Sequence, residues 1–211
     1  MTYDKITQKE LDKVLEDCIQ LEENLEEYVR MCPGLVADRL TDHAYLVACF
    51  AKLAGQDIPS APTIPDERTR ILRAKLIMEE ALETIRGLGV AMSIKEGYWD
   101  YPFNVDHMKA GNITFFNDDF HEPNLKEIVD GCLDLRVVTT GALVACGITD
   151  SPDLQETVDV NNIVKFRKDK DGYKREDGKW VKPSDHPAPK IQLLLDLMTS
   201  RAAGEHANTT D

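Results

Sequence analysis

Along most of the chain, apolar residues recur three and four positions apart, the period of a helix with one buried face. Thr7 and Glu10 have the spacing of a capping box, and Leu11, Val14, Cys18, Leu21, Leu25 and Tyr28 then mark one face of a predicted helix over 7–31 that ends near "CPG" at 32–34. A second helix is predicted from about 35 to 54, stopping at Gly55. The proline-rich "QDIPSAPTIP" that follows leaves no room for regular structure. Asp66 caps a third predicted helix, roughly 66–88, and Asn124 caps a fourth that ends at Gly147. Between them the helical period fails. Residues 89–122 read as a long loop or small hairpin, in which "NITFF" has the character of a short strand. A shorter helix at about 152–166, a turn-rich stretch with a hairpin signal at Asp177-Gly178, and an amphipathic helix in "PKIQLLLDLMTSRAA" complete the pattern. No internal repeat is evident.

This pattern predicts an all-α protein, helical along most of its length, with a loop or small hairpin between the third and fourth helices. At 211 residues, 42% apolar and 30% charged, a single domain spanning 1–211 is the expectation. The longest apolar run, "VVTTGALVACGI", is too short to span a bilayer, and the first residues lack a signal peptide's apolar core. A cytoplasmic protein with no membrane partner is expected. The five cysteines have no metal-like pair spacing and read as reduced thiols, mostly in the core.

Charge modifies the picture. A net charge of −13 argues against a nucleic-acid partner, since phosphate contacts need clustered Lys and Arg. The segment 165–190 departs from the rest, with nine basic and five acidic residues. Such a basic tail on an acidic body either helps to hold a small anion or is simply solvated.

The third helix raises a sharper question. In "KLIMEEALETIR", Glu83 lies beside both Glu79 and Glu80 on a helical surface, and like charges so placed cost stability. The fourth helix repeats the anomaly, with Glu127, Asp130 and Asp134 on one face among Ile128, Val129, Leu133 and Leu135. Packed face to face, two such helices would converge their acids. A divalent cation is the usual means of holding converging carboxylates at neutral pH, and oxygen ligands select hard ions over zinc. Solvated acids, or acids paired with Arg70, Arg73, Lys75 or Arg86, are the alternative. No glutamate here has a histidine three residues later, as an iron-type bundle site would want.

The ordered pair "EEALE" (79–83) and "EIVD" (127–130) resembles the EExxE and ExxD motifs of the all-alpha nucleoside triphosphate pyrophosphatases, the superfamily of MazG, dimeric dUTPases and phosphoribosyl-ATP pyrophosphohydrolases. "VDVNNIVKF" (158–166) and "DGKWVKPSDHPAPKI" (177–191) are similar to later segments of the phosphoribosyl-ATP pyrophosphohydrolase-like members, so the resemblance runs from about 44 to 192. It implies a metal centre of Glu79, Glu83, Glu127 and Asp130 holding Mg²⁺ or Mn²⁺, with Glu80 as the catalytic residue that orients or deprotonates water. Asn162, Lys165, Lys179 and Lys182 would bind the substrate's phosphates. Asp134 lies outside the minimal motif, in a supporting place.

The implied activity is metal-dependent hydrolysis of a nucleoside triphosphate to the monophosphate and pyrophosphate. A purine deoxynucleotide such as dGTP leads among substrates, because the 90–122 insertion is long enough to close over a larger base. The aromatic residues Tyr98, Trp99, Tyr101, Phe103, Phe115 and Phe116 offer stacking surfaces or form a minor core. The resemblance also implies an all-α fold with a four-helix-bundle core, in which 90–122 is an inserted loop or hairpin and the terminal helices, including the N-terminal one at 7–31, are extra, and a homodimer or homotetramer. Two alternatives stand beside it: hydrolysis of a phosphoribosyl nucleotide or another phosphate compound, and a non-catalytic helical interaction protein.

Overall fold

The computed structural model describes residues 43–95, 106, 111–149, 152–166, 171–176 and 178–208. The described chain is built on an all-α core. Its helices are α1 (His43–Leu53), α2 (Glu67–Gly87), α3 (Leu125–Ala145), α4 (Pro152–Ile163) and α5 (Ile191–Asn208). Two small antiparallel ribbons interrupt them: β1 (Val90–Ile94) with β2 (Ile113–Asn117), and β3 (Tyr173–Lys174) with β4 (Trp180–Val181). The expected helix at 7–31, the aromatic residues at 98–103 and Asp177 of the expected turn lie outside the described residues. No described helix is long and apolar enough to cross a membrane.

Two compact units partition the described residues, one running Ile64–Ala145 and the other drawn from the segments before and after it. In the first, each helix begins where its cap dictates. Asp66 Oδ1 accepts from the Thr69 amide at 2.9 Å, satisfying a backbone donor that the first turn of α2 leaves orphaned, and Oδ2 accepts from the Thr69 hydroxyl at 3.0 Å. Glu67 in the first turn and Arg86 in the last both complement the helix dipole. Asn124 Oδ1 accepts from the amides of Lys126 and Glu127 at 3.0 and 3.3 Å, starting α3 where the sequence pattern places it. The expected strand in "NITFF" also forms. Ile113–Asn117 pairs with Val90–Ile94, Met92 opposite Phe115 and Ala91 opposite Phe116.

Helices α2 and α3 pack against each other. A Cβ at Gly87 would lie 3.0 Å from the backbone of Glu127 and Ile128, and one at Gly131 would lie 2.6 Å from Thr84 Oγ1 and 3.0 Å from its Cα. As the number rises on one helix it falls on the other, so the pair is antiparallel. Two glycines let the backbones meet. That contact offsets the roughly 1 kcal/mol that glycine costs inside a helix.

In the second unit, Val47, Ala48 and Ala51 of α1 are buried, as is Ile148. Beyond α3 the chain turns at Gly147, where φ is +77° and a Cβ would come within 2.3 Å of Ala61 O, so glycine is required. α4 packs on α5. Asn161 ties the loop before α5 to α4, donating to Pro187 O at 2.9 Å while its Oδ1 meets His186 Nε2 at 3.0 Å. Trp180 on β4 donates to Lys165 O at 3.1 Å and packs on Phe166 with ring centroids 4.8 Å apart. The turn-rich stretch is thus a short hairpin docked on the 3₁₀ turn Val164–Phe166 that follows α4. Of the cysteines with described side chains, Cys132 and Cys146 are free, but Cys132 is exposed, contrary to a core position, because it lies on a face of α3 that no described element covers.

Candidate active site

The antiparallel register of α2 and α3 decides which acids meet. Gly87 faces Glu127 and Ile128, Thr84 faces Gly131, and one helical turn further Glu80 faces Asp134. Glu79, Glu80 and Glu83 on α2 and Glu127, Asp130 and Asp134 on α3 all belong to the Ile64–Ala145 unit, on the two helices that pack against each other there. Glu80 is half-buried and the other five are exposed.

Electrostatics single out Glu80. Desolvation raises its carboxyl above the ordinary glutamate range, and the charges of Asp134, Glu83, Glu79 and Asp130, in that order, push it further up. Acids of both helices thus act on one carboxyl. Asp134, outside the motif pair, is the strongest of these charged neighbours, a role its spacing four residues beyond Asp130 hinted at. The Thr84 hydroxyl donates to Glu80 O at 2.7 Å, so the residue touched by Gly131 also braces the turn that carries Glu80.

Two of the other acids have polar partners close by in sequence. Glu127 Oε1 accepts from Asn124 Nδ2 at 3.3 Å, and Asp130 Oδ2 lies 3.6 Å from Lys126 Nζ. Glu79 lines a shallow groove of α2 with Ile71, Ala74, Lys75, Met78 and Leu82. Among the described residues, no three acidic, histidine or cysteine side chains are grouped closely enough to hold a metal ion. The donor chemistry still suits a hard divalent cation, because the acids of both helices offer only carboxylate oxygens. Glu127 and Asp130 each use one oxygen in these contacts and keep the other for a cation.

The other expected binding residues belong to the second unit. Asn162 is exposed on α4 and Lys165 half-buried in the 3₁₀ turn, where Lys165 Nζ donates to Asn162 Oδ1. Lys179 and Lys182 flank β4 and are exposed. Trp180 between them anchors the hairpin to the Lys165 backbone, which keeps Lys165 and β4 together.

Residues 47–162, more than half of the chain, match the family model described as phosphoribosyl-ATP pyrophosphohydrolase. The chain belongs to that family. Its members are named for hydrolysis of a phosphoric anhydride bond, which places the protein among pyrophosphohydrolases. The part that matches the phosphoribosyl-ATP pyrophosphohydrolase family includes both acidic motifs and ends at Asn162. Lys165, Lys179 and Lys182 lie beyond it, so the matched span is shorter than the 44–192 of the motif resemblance. No curated protein matches the chain.

Proposed function

We propose that the protein is a metal-dependent nucleoside triphosphate pyrophosphohydrolase, yielding a monophosphate and pyrophosphate. The observation that carries this reading is the Glu80 carboxyl, half-buried, raised first by desolvation and then by acids from both helices of the pair. Like charges so placed cost stability, yet acids of both helices act on the one Glu80 carboxyl, and a perturbed carboxyl of this kind favours a site held for function.

Glu79, Glu83, Glu127 and Asp130 are the residues that would hold Mg²⁺ or Mn²⁺, with Asp134 beside them. Such an ion, when bound, neutralises triphosphate oxygens and acidifies a bound water. Glu80 is more basic than an ordinary carboxylate for the reasons given, and so accepts a proton more readily. It takes the proton of the attacking water as that oxygen bonds to the α-phosphorus and the bond to the bridging oxygen breaks toward the β-phosphate. Asn162, Lys165, Lys179 and Lys182 would contact the phosphates, with the lysines compensating the charge of the departing pyrophosphate. A purine deoxynucleotide such as dGTP is the leading substrate. Assembly into a homodimer or homotetramer belongs to the same reading, as does a place in the cytoplasm.

The family's name favours a second substrate, a phosphoribosyl nucleotide. Product analysis separates the two. The protein is mixed with each common NTP and dNTP and with phosphoribosyl-ATP, with Mg²⁺ or Mn²⁺ and with chelator, and the phosphate products are resolved. Monophosphate and pyrophosphate from a (d)NTP, lost with chelator and in Glu80→Gln, support the reading. Selectivity for phosphoribosyl-ATP transfers it to the second substrate, and orthophosphate as the first product overturns it.

A further inference from the structure

The loop joining β2 to α3 is tied down at both ends, yet it carries a large apolar side chain almost wholly in solvent. The Asp118 amide donates to Gly89 O at 2.8 Å and the Asn124 amide to Gly87 O at 2.9 Å, so the loop leaves and returns within two residues of α2's end. At Gly89, φ is +68° and a Cβ would lie 2.8 Å from Pro123, so a side chain here would block the closure. Inside the loop one Asp118 oxygen accepts from the Phe120 amide at 2.9 Å and the other meets His121 Nδ1 at 2.8 Å. Compact loops with pinned ends are frequently functional. Within this one Phe120 is 92% exposed, more than any other described large apolar residue. A phenylalanine on a slack loop could fold onto the surface. Here the backbone on both sides is held, and the ring stays out.

The loop's position gives the ring a use. Gly87 is one turn beyond Glu83 on α2, and Glu127 is three residues beyond Asn124 on α3. Phe120 thus stands at the end of the helix pair where Glu83 and Glu127 stand, in the same unit. Phe115 and Phe116 are engaged across the ribbon by Met92 and Ala91 and are about half as exposed.

We infer that Phe120 is a substrate-binding residue that stacks on the base of the substrate, so that the carboxylates take the phosphates and this loop takes the nucleobase. The inference rests on the proposed nucleotide pyrophosphohydrolase. The chemistry it recognises is the flat face of a heterocyclic base, and base–aromatic stacking tolerates different bases. Asp118 is a positioning residue for the ring.

The test is steady-state kinetics with dGTP for the wild type, Phe120→Ala and Phe120→Tyr, with inorganic tripolyphosphate as a base-free inhibitor. Phe120→Ala is expected to raise KM for dGTP by roughly tenfold with kcat little changed, the size of a lost stacking contact. Phe120→Tyr restores it, and inhibition by tripolyphosphate is the same in all three. An unchanged KM overturns the inference, as does parallel weakening of tripolyphosphate. A change in sedimentation mass in Phe120→Ala also overturns it, assigning the ring to a subunit contact. If the wild type cleaves no nucleotide, the pyrophosphohydrolase reading has failed, and equilibrium binding of dGMP tests the stacking by itself. Binding weakened about tenfold in Phe120→Ala supports it; equal binding, or none by the wild type, overturns it.

Discussion

Glu80 is where stability and activity oppose each other. Its raised carboxyl means that the folded chain keeps the proton to a higher pH than the unfolded chain does. Ionised Glu80 therefore works against folding above its folded titration range, and that cost fades as the pH falls toward the ordinary glutamate value. Glu80→Gln removes the charge beside Glu79 and Glu83 and opposite Asp134. It is expected to raise Tm by about 1–2 °C at neutral pH, with the gain shrinking on acidification. Turnover should fall by about a hundredfold or more, the size of a lost general base. Thermal melts of both proteins across pH, beside their turnover, check this. A variant less stable than wild type at neutral pH would contradict the cause assigned to the shift. Asp118 has the opposite sign. The Phe120 amide, then His121, hold its carboxyl below the usual range, so its contribution is present above the ordinary aspartate value and is lost as the pH falls through the lowered one.

At the scale of the element, the seam between α2 and α3 depends on two glycines that bring backbone to backbone. Alanine at 131 would gain about 1 kcal/mol of helix propensity but drive a methyl to within 2.6 Å of Thr84 Oγ1. Overpacking of that kind costs about 1–3 kcal/mol, so Gly131→Ala is expected to destabilise by about 1 kcal/mol net and to lower turnover by displacing Glu80 from Asp134. Thr84→Ala clears the hydroxyl. A double-mutant cycle with both substitutions should then be clearly non-additive, the pair being more stable than the sum of the singles, and additivity would show that the contact does not set the helix spacing. These glycines also mark how far the sequence could be read. Asp66, Asn124 and Gly147 announced the ends of α2 and α3 because caps and left-handed turns are local chemistry. Glu79–Glu83 and Glu127–Asp130 announced themselves because like charges on an apolar helix are costly. That Gly131 meets Thr84, or that Glu80 faces Asp134, is a fact about two chain segments some fifty residues apart, and no local pattern contains it. Phe120 was hidden for another reason: an apolar residue in "NDDFHEPN" is as consistent with a buried anchor as with an exposed ring.

On the scale of the whole molecule, the helix pair leaves much apolar surface uncovered. Ile71, Met78 and Leu82 recur along one face of α2, with Ala74 between them, and Leu125, Val129 and Leu133 recur at every fourth position of α3; all six large side chains are exposed. Two helices meeting along one seam bury one face each, and contiguous apolar surface of this kind marks an association site. The proposed homodimer or homotetramer would cover it with the same helices of another copy. A charge of −13 opposes that association, so salt should favour assembly while dilution favours the single chain. Sedimentation of the wild type at moderate salt is expected to give a multiple of the chain mass. Leu133→Lys, which puts a charge on the α3 face but leaves the Gly131–Thr84 seam untouched, should shift the mass toward one chain and lower activity with it. A single chain that cleaves nucleotide at the full rate would overturn the assembly, and with it the idea that these exposed leucines and isoleucines complete the site.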